Sequence, residues 1–228
     1  MHTLRAAAAI LAAGTAIVVI AVSSTGSRPA APVATSSPVA LPSPALRGPV
    51  SLEEALAGRR SVREFSSRSL TPDEIGQLLW AAQGETTDDG RRTAPSAGGT
   101  YPLELCAVTA DGVFRYLPAG HALRLVRSGD VRADLARAAV GQAFVGQAPL
   151  VVVVAAVPSR TEARYGSRAA RYVALEAGHA AQNVLLQAVA LDLAAVPVGS
   201  FDDASLADLV GLAEDEMPLY LLPVGHPR

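Results

Sequence analysis

Leu103-Glu-Leu-Cys-Ala-Val-Thr-Ala-Asp-Gly-Val-Phe-Arg-Tyr-Leu117 is the stretch on which the fold turns. Two runs of strand character, Leu103–Ala110 and Val113–Leu117, flank Asp111-Gly112, and that dipeptide suits the positive φ angles of a tight hairpin turn. Downstream, Leu150–Val157 is a continuous, Val-rich apolar run, as expected of a strand buried on both faces. Ala195–Val198 and Leu219–Val224 read as two further short strands. Upstream, Ser51-Leu-Glu-Glu54 is a capping box that opens a short helix through Ala57, with Gly58 as its stop. Thr71-Pro-Asp-Glu74 is a second capping box with Pro72 at the first helical position. Ile75, Leu78, Leu79 and Ala82 give that helix an apolar face, and Gly84 ends it. Glu85–Arg92 is polar and reads as loop, Gly129–Val140 as a helix, and Asp202–Leu212 as a helix capped by Asp202 or Asp203. Glu162–Leu193 holds the longest helical pattern, with Tyr172, Leu175, Ala180, Val184, Leu185 and Val189 available to a core. Helices and strands mix without a strict βαβ rhythm, which argues for α+β rather than a doubly wound sheet.

The N-terminal part is of another kind. Ala6–Val22 is apolar apart from Gly14 and Thr15, and Arg5 precedes it. Its length lies between a signal-peptide core and a spanning helix. The absence of an A-x-A site directly after it favours an uncleaved anchor over a signal peptide, and no Cys follows to carry a lipid. Positive charge at the front directs the rest of the chain to the extracytoplasmic side, although Arg28 beyond the segment weakens that vote. Ser23–Pro49 is rich in Ser, Pro and Ala and reads as a tether, placing the boundary of the globular domain near Pro49. In the whole chain 50% of residues are hydrophobic but only 4% aromatic, so the core must be built from Ala, Val and Leu. The net charge of −2, without a basic stripe, gives no support for nucleic-acid binding. Cys106 is the single cysteine, which excludes an intramolecular disulfide, and its apolar surroundings read as those of a buried, inert thiol.

Four groups of residues carry chemical interest. Arg59-Arg-Ser-Val-Arg63 offers guanidinium groups and a hydroxyl, and in extended backbone Arg59, Ser61 and Arg63 share a side. That set suits a phosphate or another anion, with a solvated basic turn as the plain alternative. Ala94-Pro-Ser-Ala-Gly-Gly-Thr-Tyr-Pro102 contains adjacent glycines where backbone can approach a flat ligand, or is an ordinary connecting loop. In Glu176-Ala-Gly-His-Ala-Ala-Gln-Asn183, a mid-helix Gly178 suggests close packing against another helix or a ligand, and His179 reads as a hydrogen-bonded structural histidine, with a catalytic role as the alternative. Glu176 and His179 have the i, i+3 spacing of di-iron helices, but no second such pair exists, so a metal site is rejected. Pro197-Val-Gly-Ser-Phe201 and Leu221-Leu-Pro-Val-Gly-His-Pro227 each end a strand in a Gly-bearing turn able to present backbone N–H groups. There is no G-x-S-x-G elbow, P-loop or dinucleotide fingerprint, which weighs against hydrolase, NTPase and Rossmann readings.

Arg59–Arg63, Ala94–Glu104, Tyr172–Asn183, Pro197–Asp203 and Leu222–Gly225 together, in this order, resemble the nitroreductase superfamily, and within it the SagB-type dehydrogenase branch that includes azoline oxidases. The resemblance covers residues 50–228. It implies an α+β sandwich of a mixed sheet with helices around it, a homodimer, and FMN at the dimer interface. It implies that Arg59, Ser61 and Arg63, with Arg60 as a weaker member, hold the phosphate, ribityl chain and pyrimidine edge of FMN. Pro95, Ser96, Gly98, Gly99 and Thr100 would border the flavin from the partner subunit, and Pro197, Val198 and Gly199 would supply backbone contacts near the ring. The implied reaction is hydride transfer to and from the flavin, the cofactor carrying the chemistry. The substrate, small molecule or peptide, is left open. A flavin-binding or degenerate partner module without turnover is the alternative.

The departures are informative. Gly99 stands where many nitroreductases have Asn, and the SagB branch commonly has Gly-Gly there. The basic residue that many members carry beyond the Pro-Val-Gly strand has only Arg228 as a counterpart. Arg164-Tyr165 stands near the place of a Lys-Tyr pair in azoline oxidases, making Tyr165 a candidate proton-transfer group; the alternative is a surface tyrosine.

Overall fold

A computed structural model of the chain describes residues 37–228. The hydrophobic segment 6–22 and residues 23–36 of the tether lie outside the described residues. Among the described residues, no helix is long and apolar enough to cross a membrane.

The strands are β1 (Val39–Ala40), β2 (Leu103–Val108), β3 (Gly112–Leu117), β4 (Ala122–Ser128), β5 (Leu150–Ala156), β6 (Ala194–Ala195) and β7 (Met217–Gly225). They form a single sheet in the order β1-β4-β3-β2-β5-β7-β6. The hairpin around Asp111-Gly112 forms as expected, with Cys106 opposite Arg115, and β2 pairs β5 with Cys106 opposite Val153. Every pairing of named strands is antiparallel. The expectation of a mixed sheet is therefore corrected: parallel pairing among the described residues is confined to an isolated bridge between Ser61 and Ala195. The physical reason is local, since β2, β3 and β4 are joined by short reversals and no crossover helix separates them.

The helices are α1 (Leu52–Gly58), α2 (Pro72–Gln83), α3 (Arg132–Ala138), α4 (Ala143–Gln147), α5 (Ser159–Tyr165), α6 (Ala169–Ala190) and α7 (Asp203–Val210). Both capping boxes form: Ser51 accepts from the Glu54 N–H and Thr71 from the Glu74 N–H, and each glutamate returns a bond to its cap. Asp202 is the cap of α7. The helical pattern over Glu162–Leu193 is broken at Gly166, which has φ 52° and ψ −132° and separates α5 from α6 through a 3-10 turn. Only glycine adopts that conformation readily, so two helices replace the expected one.

Helices cover both faces of the sheet. Leu105, Ala107, Val152, Val154, Leu222 and Val224 face α2 and α6, packing with Leu78, Leu79, Ala180 and Val184. Cys106, Val108, Val151, Val153 and Leu221 face the other way, toward Leu135, Val145, Leu206 and Val210. This is the period-2 alternation of a strand buried on both sides. On α6 the buried stripe is Val173, Glu176, Ala177, Ala180, Ala181, Val184, Leu185 and Ala188. Leu175 lies outside it, 52% exposed. His179, expected as a hydrogen-bonded structural histidine, is exposed too, and a side chain at Gly178 would meet open space.

Part of the tether belongs to the folded body. Val39 and Ala40 pair with Leu123 and Ala122 on the edge of β4. The Gln77 side chain of α2 holds Ala45 through both its N–H and its C=O, at 2.8 and 3.0 Å.

Candidate active site

The Arg59–Arg63 segment is stitched along the end of the sheet. Val62 N–H donates to the Ala195 carbonyl at 3.0 Å, and Ser66 N–H to the His226 carbonyl at 2.9 Å. Phe65 bridges Pro227 and is buried on the Cys106 side of the sheet. Three motifs far apart in sequence, Arg59–Arg63, Ala195–Gly199 and the C-terminal His226–Arg228, thus meet at one sheet edge. Ser61 and Arg63 are exposed there and Arg59 is half-buried. The Arg63 guanidinium lies 5.6 Å from the centre of the Phe144 ring, which steadies it without neutralising it. Among the described residues neither Arg59 nor Arg63 forms an ion pair. Arg60 is used otherwise: its Nη1 donates to the Ala57 and Arg59 carbonyls at 2.9 and 2.7 Å, closing the C-terminus of α1.

The Pro197–Gly199 strand is partly consumed by the sheet. Val198 N–H donates to Leu221 at 2.8 Å, and the Val198 carbonyl accepts from Leu221 N–H at 2.9 Å. Val198 therefore has no backbone group to spare, and Pro197 has no N–H; the Gly199 N–H and the Pro197 carbonyl remain available. Gly225 is a packing glycine within β7, since a Cβ there would stand 2.6 Å from Pro149 and 3.1 Å from Phe65.

The second group gathers around the glycine turn. Gly98 and Gly99 take φ values of 63° and 67°, and Tyr101 follows at 44°. Ser96 Oγ accepts from Tyr101 N–H at 2.9 Å. The Thr100 hydroxyl donates to the Ala97 carbonyl at 3.1 Å and meets the Thr161 hydroxyl at 2.9 Å. These hydroxyls hold the turn, leaving Pro95, Gly98 and Gly99 exposed. Arg164 Nη1 donates to the Gly98 carbonyl at 3.1 Å. A Cβ at Gly98 would sit 2.6 Å from the Tyr165 hydroxyl, so only glycine lets Tyr165 approach. Tyr165 is half-buried, edge-on to Tyr172 at 5.0 Å, and so is not a free surface tyrosine.

Glu176 lies below this turn, 2% exposed. Burial raises its carboxyl above the ordinary range, against weaker lowering by a Ser96 hydrogen bond and the Arg92 charge. The sequence marked Glu176 only as half of a discarded metal pair; the signal for its burial is its place on the Val173–Ala177–Ala180 stripe. Among the described residues, no hydrogen bond joins the arginine edge to the glycine turn, and no group of His, Cys, Asp or Glu could hold a metal ion.

A chain with this sheet, these covering helices and these two clusters has known counterparts. It belongs to the Nitroreductase family, whose model matches residues 56–226. A protein of Methanocaldococcus jannaschii described as a nitroreductase is 43% identical over 183 residues, 78% of this chain and 91% of the relative. The trifolitoxin operon protein TfxC of Rhizobium leguminosarum bv. trifolii is 26% identical over 194 residues; the match takes 75% of this chain and 54% of TfxC, about half the length of that relative. Among solved structures, one from Ralstonia eutropha, described as a nitroreductase, is similar at 33% identity with a TM-score of 0.76, covering 84% of this chain and 90% of that one. The NADPH:FMN oxidoreductase of Vibrio harveyi shares the fold, with a TM-score of 0.59 at 22% identity over 77% of this chain and 68% of its own.

Proposed function

We propose that this chain is an FMN-dependent oxidoreductase of the SagB-type dehydrogenase branch. The observation that carries the reading is the convergence at one sheet edge of Arg59, Ser61 and Arg63 with Gly199 and the C-terminal residues. Guanidinium groups free of carboxylate partners, a hydroxyl and an unused backbone N–H are the donor set that a phosphate monoester and a polar ring edge require. Family membership and the name of the Vibrio harveyi relative support the same cofactor. When bound, FMN supplies the capacity to accept and release hydride. The chain's own residues do the rest. Arg59 and Ser61, with Arg228 at the same edge, bind the phosphate and ribityl oxygens. Arg63 places positive charge near the pyrimidine end, where it stabilises negative charge on the reduced ring. The exposed Gly98–Gly99 backbone faces a flavin held by a second copy of the chain, making the active unit a homodimer. Tyr165, fixed against Gly98, is positioned to exchange a proton with substrate. The branch assignment is supported by the Gly-Gly turn, by Arg164-Tyr165 and by the match to a toxin-operon protein. In this reading the domain lies on the extracytoplasmic side of a membrane, which the apolar run 6–22 with Arg5 before it supports.

The test is a visible absorption spectrum of the purified chain during FMN titration. A flavin spectrum that saturates at one FMN per chain is expected. Replacing Arg59 or Arg63 by Ala should weaken FMN binding by about tenfold or more each, the loss of a charge-assisted hydrogen bond. A colourless protein that takes up no FMN overturns the reading.

A further inference from the structure

Where β7 ends, Gly225-His-Pro-Arg228 turns the imidazole of His226 toward the protein and leaves Arg228 exposed. The backbone here is fixed. Ser66 N–H donates to the His226 carbonyl at 2.9 Å, and Phe65 bridges Pro227 in antiparallel register. In that register Arg228 follows on the side of Glu64 and Arg63. The His226 side chain is 13% exposed, and its Nε2 is closed to solvent without a hydrogen-bond partner. A ring nitrogen left so is costly, which gives weight to the polar group that faces it.

That group is Glu74 Oε1, 3.5 Å from His226 Nε2 on a side chain 16% exposed. Glu74 is itself held at the start of α2. Its Oε2 accepts from the Thr71 N–H at 2.6 Å and from the Thr71 hydroxyl at 3.0 Å, as the glutamate of the capping box. A fixed carboxylate thus faces a fixed imidazole, largely out of water, where such a contact is worth more than on an open surface. Among the described residues, neither group has another ion-pair partner, and Arg228 has none. The contact ties α2 to the residue two positions before Arg228, and Pro227 between them has a fixed φ. With His226 held, an anion at the arginine edge has little more than the Arg228 side chain left to order.

We propose that His226 is a positioning residue for the FMN phosphate: tied to Glu74, it holds the Pro227–Arg228 segment where Arg228 joins Arg59 and Ser61 as a phosphate donor. The proposal rests on the reading of the arginine edge as the flavin site. It is tested on the full-length chain by fluorescence titration with FMN and with riboflavin, which has the same ring and ribityl chain but no phosphate. Glu74→Gln removes the charge facing His226 and keeps the capping box, in which Gln also serves. His226→Phe keeps a planar ring and removes Nε2. Each variant should weaken FMN by about threefold or more, the scale of coupling between side chains in contact, and leave riboflavin within about twofold. Arg228→Ala should weaken FMN too, and adding His226→Phe to it should cost nothing further, because His226 acts through Arg228. NMR of the His226 ring nitrogens in the flavin-free chain reads the tie itself, and Glu74→Gln should shift them. If His226→Phe does not fold, Glu74→Gln and the ring signals decide. Equal loss of FMN and riboflavin would mean that His226 only supports the fold, and overturns the proposal. Unchanged FMN affinity, additive effects in the double variant or unmoved ring signals overturn it as well. A wild type that binds neither flavin overturns the flavin reading together with this one, whereas a wild type that binds FMN with the variants unaffected overturns this proposal alone.

Discussion

Glu176 and Cys106 show what burial does to an ionisable group when the opposite charge nearby is too weak to offset it. Cys106 is 1% exposed, and burial pushes its thiol up to about 11, so the thiolate is suppressed and the residue is inert. Glu176 is held up in the same way, with Oε1 lacking a partner among the described residues. Arg115 is the contrasting case: buried, but bound at both terminal nitrogens by Glu216 at 2.9 and 2.7 Å. For Glu176 the sign of the linkage is clear. The folded state keeps its proton to a higher pH than the unfolded state, whose carboxyl titrates near 4.5. The folded state therefore binds more protons, and stability falls as pH rises from about 4.5 through the raised folded value. Glu176→Gln removes this dependence. Melting temperatures of both proteins from pH 4 to 8 should show wild type losing ground to the variant as pH climbs; a constant difference would contradict the account.

At the scale of elements, composition misled for the tether and backbone conformation decided the long helix. Residues 39–45 have no hydrophobic period, yet their backbone hydrogen bonds have partners: Leu41 N–H donates to the His121 carbonyl at 2.9 Å, and Gln77 clasps Ala45. A short edge strand needs a neighbour with free backbone groups rather than a pattern of its own, and the edge of β4 supplies it. Removing residues 1–45 deletes these three hydrogen bonds and the β1–β4 pairing besides, each bond contributing roughly 1 kcal/mol. For a domain of this size the three named bonds alone correspond to a fall in melting temperature of about 6–12 °C, readable by circular dichroism. An unchanged melting temperature would mean that the strap adds nothing. No expectation from the sequence covered β4, although Leu123 and Leu125 flank Arg124 in alternation and are half-buried while Arg124 is exposed.

For the whole molecule, the exposed apolar residues on the helices raise a question of assembly. Leu52 and Leu56 on α1 and Leu175 on α6 are 61%, 53% and 52% exposed, and α1 packs on α6. Large apolar side chains left in water on adjoining helices mark a surface for a partner. The homodimer proposed above accounts for them, and it also explains why the arginine edge and the glycine turn do not meet within one chain. Leu175→Arg should turn the dimer into a monomer by light scattering and abolish FMN uptake together with it, since each flavin would then keep only half its contacts. A monomeric wild type, or a monomeric variant that binds FMN as tightly, would refute the shared site.

What the sequence determined by itself was local: the two capping boxes, the Asp111-Gly112 hairpin, the fully apolar β5, and the order of motifs that marks the family. Each of these depends on residues within a few positions of one another. Only the tertiary structure decided which motif members are free to act. Arg60 closes α1, Val198 spends both backbone groups on Leu221, and Ser96 and Thr100 hold their own turn. Gln83 and Arg92, which no motif singled out, end with buried donors that have no partner among the described residues. A hydrogen-bonding group is available only if no neighbour has taken it, and the neighbours are set by the packing of segments distant in sequence.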